Sequence, residues 1–165
     1  RLDKMTSGCL IYAKKYQIAR SMAQLFKDKK VSKIYRAISF GKWPFKKNKH
    51  RIDQPLLIQS DNVQKVHGAI TDLKLLKQTD KYCYLELMPV TGRKHQLRRH
   101  LQEHHLPIVG DDKYGNFKLN KEKKHECLLL HAHIVEFYHP VTNEKLIFKS
   151  PVPKDMDEFL RLFFN

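Results

Sequence analysis

Residues 69–90 read Ala69-Ile70-Thr71-Asp72-Leu73-Lys74-Leu75-Leu76-Lys77, then Gln78-Thr79-Asp80-Lys81, then Tyr82-Cys83-Tyr84-Leu85-Glu86-Leu87-Met88-Pro89-Val90, and they decide the fold class. Two apolar-rich runs flank a short polar segment, the pattern of two strands joined by a hairpin turn. In the second run Cys83, Leu85 and Leu87 fall on one face, and Tyr82, Tyr84, Glu86 and Met88 on the other.

Working downstream, Thr91-Gly92 is a turn. Residues 94–104 read as a helix with Leu97 and Leu101 inward. Residues 111–125 are polar and Lys-rich and predict a loop. Residues 127–138 form a strong strand candidate, and Lys145–Lys149 pairs back on it after the His139-Pro140 and Asn143 turn. Residues 155–163 close the chain as a helix, with Met156, Phe159, Leu160 and Phe163 on one stripe. Upstream, 55–58 is a short strand end, 46–51 a basic loop and 31–43 a strand. Tyr16–Lys27 reads as a helix with an apolar stripe of Ile18, Met22, Leu25 and Phe26. Residues 9–14 read as a strand rising from the polar opening turn. Strands outnumber helices and many join as hairpins. The expected class is therefore α+β, with a mixed, mostly antiparallel sheet and flanking helices. Neither GxGxxG nor GxxxxGK[ST] occurs, so no nucleotide cofactor is expected.

The chain has 165 residues and 41% apolar content, which fits one globular domain over 1–165. No apolar run approaches the roughly 20 residues of a membrane span, so no membrane partner is expected. No signal-peptide pattern is present. The first residue is Arg1, which predicts the later part of a longer polypeptide. Lys and Arg number 32 against 17 Asp and Glu, a net charge of +15. Such an excess repels itself and fits a polyanionic partner, nucleic acid above all. Cys9, Cys83 and Cys127 lie far apart with no CxxC. This argues against a disulfide framework or a cysteine zinc site, and for reduced, mostly buried thiols in a cytoplasmic protein.

Chemistry-bearing residues collect in stretches that begin at residues 1, 33, 92 and 129. Arg1-Leu2-Asp3-Lys4-Met5-Thr6-Ser7-Gly8 offers a carboxylate between cations on a Thr-Ser-Gly turn. Alone, it reads as well as a salt-bridged surface loop. The whole ordered set, however, resembles the RluA-type family of pseudouridine synthases. That family's motif around its catalytic Asp is His-Arg-Leu-Asp-x-x-Thr-Ser-Gly, matched here from Arg1 onward. Its Lys-x-Tyr-x-Ala strand is similar to Lys33-Ile34-Tyr35-Arg36-Ala37, and its Gly-Arg-x-His-Gln-Leu/Ile-Arg segment to Gly92-Arg93-Lys94-His95-Gln96-Leu97-Arg98. Residues 107–111, Tyr114-Gly115, Leu130-His131-Ala132 and His139-Pro140 follow in the family's order. Within the family, residues 111–115 and Gln54-Pro55-Leu56-Leu57 look most like the ribosomal large-subunit synthase C type. Lys94 departs from the more usual Thr.

The resemblance implies a cofactor-free isomerase acting on uridines of large-subunit ribosomal RNA as a monomer. It also implies a central RNA-binding cleft, with the first strands of the catalytic domain lying before residue 1. Asp3 would be the catalytic carboxylate, as nucleophile or as base, and Arg93 would hold it charged and oriented. Tyr35 would stack on the target uracil. Arg1 would fill the space vacated by the flipped base, whose extrusion costs a few kcal/mol. Lys33, Lys94, His95, Gln96, Arg98, Leu130 and His131 complete the expected RNA-facing set, with Leu130 and His131 as wall residues. The competing reading is a non-catalytic, basic RNA-binding or ribosome-assembly module on the same fold. A zinc site on His100 and His104, four apart on a helix, lacks the partners of an HExxH motif, and no metal is expected.

Overall fold

The computed structural model describes residues 1–60, 63–122 and 127–164. In chain order its elements are β1 (Ser7–Gly8), α1 (Tyr16–Lys27), β2 (Ser32–Phe40), β3 (Lys49–Asp53), β4 (Leu56–Ser60), β5 (Val63–His67), β6 (Ile70–Gln78), β7 (Tyr82–Pro89), α2 (Gln96–Glu103), α3 (Phe117–Glu122), β8 (Leu130–Tyr138), β9 (Lys145–Lys149) and α4 (Lys154–Phe163).

The hairpin is β6–β7, closed by the Thr79 N–H donating to the Tyr82 carbonyl at 2.9 Å. It lies inside a seven-stranded sheet of order β1-β8-β2-β7-β6-β3, with β9 also on β8. Every pairing in that sheet is antiparallel except β1 on β8. The α+β class and the mostly antiparallel sheet are as the sequence predicts.

Both faces of the sheet are covered. Cys83, Leu85 and Leu87 are fully buried against Leu97 and Leu101 of α2. On the other face Tyr82, Ile38 and Phe40 pack on Met156 and Phe159 of α4. Met22 of α1 sits on Val31, Val135 and Phe137. Each buried Leu or Phe contributes roughly 1.5–3 kcal/mol, so the period-two pattern of β7 locks the register of the sheet.

Several expectations need correction. The strand over 9–14 does not form; only Ser7–Gly8 pairs, with His131 and Ala132. The reason is competition for one edge, because β9 occupies β8 from Ile134 onward. The basic loop over 46–51 ends early: Lys49–Asp53 is an edge strand that buries Ile52 and exposes its charged neighbours. Strand β5, which pairs with β4, and helix α3 within the expected 111–125 loop carried too little apolar pattern to be read. Residues 123–125 of that loop lie outside the described residues. Cys83 is buried, its thiol pushed up to about 11 by that burial, while Cys127 is exposed. Among the described residues no helix is long and apolar enough to cross a membrane.

Candidate active site

The alternation of β2 builds one wall of a cleft of about 530 Å³. Lys33 and Tyr35 point into it, whereas Arg36, on the opposite face, pairs across the sheet with Glu86 at 2.8 Å. Leu130, Ala132 and Ile134 of β8 form the floor, and Met22 and Phe26 of α1 close one side. The volume falls in the range of small-molecule sites, about 300–1,000 Å³. Burial lowers the pKa of Lys33. It also pushes Tyr35 up to about 12, with the Asp3 charge adding to the rise, so Tyr35 is a neutral phenol near pH 7.

Asp3 reaches the cleft because the opening turn is fixed to β8. The Thr6 N–H donates to the Asp3 carbonyl at 2.9 Å, and the Cys9 N–H to the Ala132 carbonyl at 2.8 Å. Gly8 has φ +110°, and a Cβ there would collide with the Ala132 carbonyl, so the turn requires glycine. Ser7 Oγ lies 2.9 Å from His131 Nδ1. Burial keeps His131 neutral by lowering its pKa, and its Nε2 lies 3.4 Å from the Ser150 carbonyl. A carbonyl only accepts, so Nε2 carries the proton and Nδ1 accepts from Ser7.

The segment before and within α2 supplies the other wall. His95, which precedes α2, has the left-handed φ of 55°. Its Nε2 lies 3.9 Å from Asp3 Oδ1 and its Nδ1 3.0 Å from the Tyr114 hydroxyl. Burial lowers the His95 pKa, and Arg98, Lys113 and Lys94 add to this against the upward pull of Asp3. Arg98 Nη1 lies 3.9 Å from Asp3 Oδ2. Arg98 is only 5% exposed and is gripped by Asp111 through Nε and Nη2, both at 2.7 Å. Asp112 also accepts from Nη2, at 2.8 Å.

The structure therefore reassigns several expected residues. The guanidinium beside Asp3 belongs to Arg98, not Arg93. Arg93 is exposed, lines the mouth of the cleft and donates from Nε to the Gly68 carbonyl at 3.1 Å. Gln96, expected to face RNA, is only 3% exposed and is turned inward. Its Oε1 accepts from Thr91 Oγ1 at 2.7 Å and the Arg93 N–H at 3.0 Å, and its Nε2 donates to the Ile70 carbonyl and Thr71 Oγ1, both at 2.9 Å. His131, at 1%, anchors Ser7 instead of reaching solvent, and Leu130, at 2%, is cleft floor. Arg1 and Lys33 line the cleft, and Lys94 is exposed beside it. His100 is fully buried with Nδ1 2.9 Å from Thr71 Oγ1 and Nε2 3.1 Å from the Gln54 carbonyl, so both ring nitrogens are occupied within the fold. Sequence reading assigned no role to Tyr114, Asp111 or Asp112. The pointer to them is the match of 107–111 and Tyr114-Gly115 to the family's order.

A family model described as RNA pseudouridylate synthase matches residues 1–103. The tRNA pseudouridine synthase C of Vibrio parahaemolyticus is 34% identical, over 99% of this chain and 74% of that protein. The ribosomal large subunit pseudouridine synthase C of Rickettsia prowazekii is 38% identical, over 93% of this chain and 52% of that protein. The human structure titled RNA Pseudouridylate Synthase Domain Containing 1 superposes with a TM-score of 0.76 at 25% identity, over 98% of this chain and 77% of that one.

Proposed function

We propose, for a chain that belongs to the RNA pseudouridylate synthase family, that Asp3 is the carboxylate through which it isomerises uridine in RNA. The isomerisation breaks the C1′–N1 bond, turns the uracil and joins C5 to C1′; C5 gives up its proton and N1 takes one up. A carboxylate serves as nucleophile at the sugar or as base for a sugar proton. The observation that carries this reading is the placement of Asp3 in the cleft, one oxygen toward His95 and the other toward Arg98. Arg98 presents a buried positive charge to Asp3 Oδ2 at 3.9 Å. Tyr35 stacks on the uracil as a neutral phenol, and Arg1, Lys33, Arg93 and Lys94 meet the RNA around the mouth. The expected test is Asp3→Asn: release of tritium from 5-labelled uridine in RNA falls to background while RNA affinity survives. Full activity in that variant would overturn the mechanism.

The whole of 1–165 is proposed to act as one catalytic domain, monomeric, in the cytoplasm and without a cofactor. Large-subunit ribosomal RNA is the proposed substrate, supported by the 111–115 and 54–57 segments and by the higher identity to the ribosomal relative. Transfer RNA is the second reading, favoured by a tRNA-directed relative that aligns along 99% of this chain. Mapping pseudouridines in both RNA classes from cells lacking the gene separates them: sites lost only from tRNA would overturn the ribosomal assignment.

A further inference from the structure

Tyr114 touches both groups that bracket Asp3. Its hydroxyl lies 3.0 Å from His95 Nδ1. Its ring lies under Arg98, with Cζ 5.2 Å from the centroid, in cation–π range. Its own N–H donates at 2.8 Å to Asp111 Oδ1, part of the carboxylate that grips Arg98. His95 in turn has a left-handed backbone, which a non-glycine residue keeps only where its surroundings over-determine it. Its ring contacts are Tyr114 on one nitrogen and Asp3 on the other.

We infer that Tyr114 is a positioning residue for the reaction, holding His95 through its hydroxyl and Arg98 through its ring so that Asp3 meets the sugar in one orientation. With the His95 ring neutral, the Tyr114 O–H donates to Nδ1 and leaves Nε2–H facing Asp3 Oδ1. Arg98 Nη1 faces Oδ2. Both approaches are 3.9 Å, longer than hydrogen bonds, and the positioning role requires them to shorten in the substrate complex. The carboxylate is then held at both oxygens, and one tyrosine touches both holders, fixing His95 through its hydroxyl and backing the Arg98 guanidinium that Asp111 grips.

The inference rests on Asp3 being the catalytic carboxylate, so Asp3→Asn is assayed in parallel. Tyr114→Phe keeps the ring and removes the hydroxyl. Its single-turnover rate is expected to fall about tenfold with RNA affinity nearly unchanged. Tyr114→Leu removes both supports and is expected to lose about a hundredfold, the scale of a misplacement near 1 Å. His95→Asn tolerates the left-handed backbone but is too short to bridge Tyr114 and Asp3. If the hydroxyl acts only through His95, adding Tyr114→Phe to His95→Asn costs nothing further, a non-additivity that general loss of packing would not produce. Inactive Asp3→Asn together with a fully active Tyr114→Phe overturns the inference alone. Additive losses in the double variant overturn it as well. Active Asp3→Asn overturns both the inference and the mechanism beneath it.

Discussion

Arg51–Asp72 and Arg98–Asp111 are the same chemical object in two places. Each is a two-toothed guanidinium–carboxylate fork, with bonds of 2.7 and 2.9 Å in the first and 2.7 and 2.7 Å in the second. The first lies across β3 and β6 at the edge of the sheet, in water. The second is buried, with Arg98 side-chain exposure at 6% and Asp111 at 1%. Equal geometry does not mean equal consequence. At the edge, water solvates either partner alone and salt screens their attraction. Inside, each charge depends on the other, and loss of one strands its partner. The buried fork also carries function, because it fixes the guanidinium that faces Asp3. The exposed fork only bridges two strands that their backbone ladder already pairs.

Asp111→Ala should separate the forks most sharply. It leaves a buried Arg98 without its main partner, a change that costs roughly 3–5 kcal/mol. Urea unfolding should show that loss, and pseudouridine formation should collapse with it. A variant that kept full stability would mean water reaches Arg98. Acid gives an intermediate effect. Burial pushes the Asp111 carboxyl up, but hydrogen bonds from Arg98 and from the Tyr114 and Lys113 N–H groups outweigh it and hold the folded value below 3.8. A depressed folded value means that stability is fully present above the ordinary carboxylate value and is lost as pH falls below it toward the folded one. Asp72 is also held low, first by its hydrogen bond from Arg51. High salt should therefore shrink the Asp72 share of acid destabilisation and leave the Asp111 share, as read from unfolding midpoints below pH 4 in Asp72→Asn and Asp111→Asn. The smallest effect belongs to Arg51→Ala, which should leave the unfolding midpoint and the catalytic rate close to unchanged. A large loss there would show that β3 depends on the fork.

Much of the scaffold was legible because period and burial coincide. Helices α1 and α4, and strands β6 and β7, carry apolar patterns that match their buried faces, whereas β9 was legible from its apolar run although Ile147 and Phe148 stay exposed. Strands β3 and β5 and helix α3 did not. The buried face of β3 is marked by Ile52, and α3 buries no residue, so the chain there reads as polar loop. In the site, the cleft positions of Asp3, Lys33 and Tyr35 were legible from the ordered set of family motifs and not from any one of them. The partner of Asp3 was not. Arg93 and Arg98 occupy one short segment, and sequence alone supplied no direction for either side chain. Helix α2 begins at Gln96, after a left-handed His95. Arg93 therefore stays in the preceding turn and reaches Gly68, while Arg98 lies on the buried side of the helix with Leu97 and Leu101. The same turn takes Gln96 out of solvent.

By itself, the sequence determined that this chain folds around an antiparallel hairpin, has a net charge of +15 that suits a polyanionic partner and carries the motifs of an RNA-modifying isomerase. Alternation, net charge and motif order are properties of the linear chain and survive without coordinates. Only the tertiary structure decided which charges meet. It put Arg98 rather than Arg93 beside Asp3, turned Gln96 and His131 into internal braces and brought Tyr114 between His95 and Arg98. Those choices depend on where a helix starts and on which edge of β8 remains open, and both are fixed by packing between segments far apart in the chain.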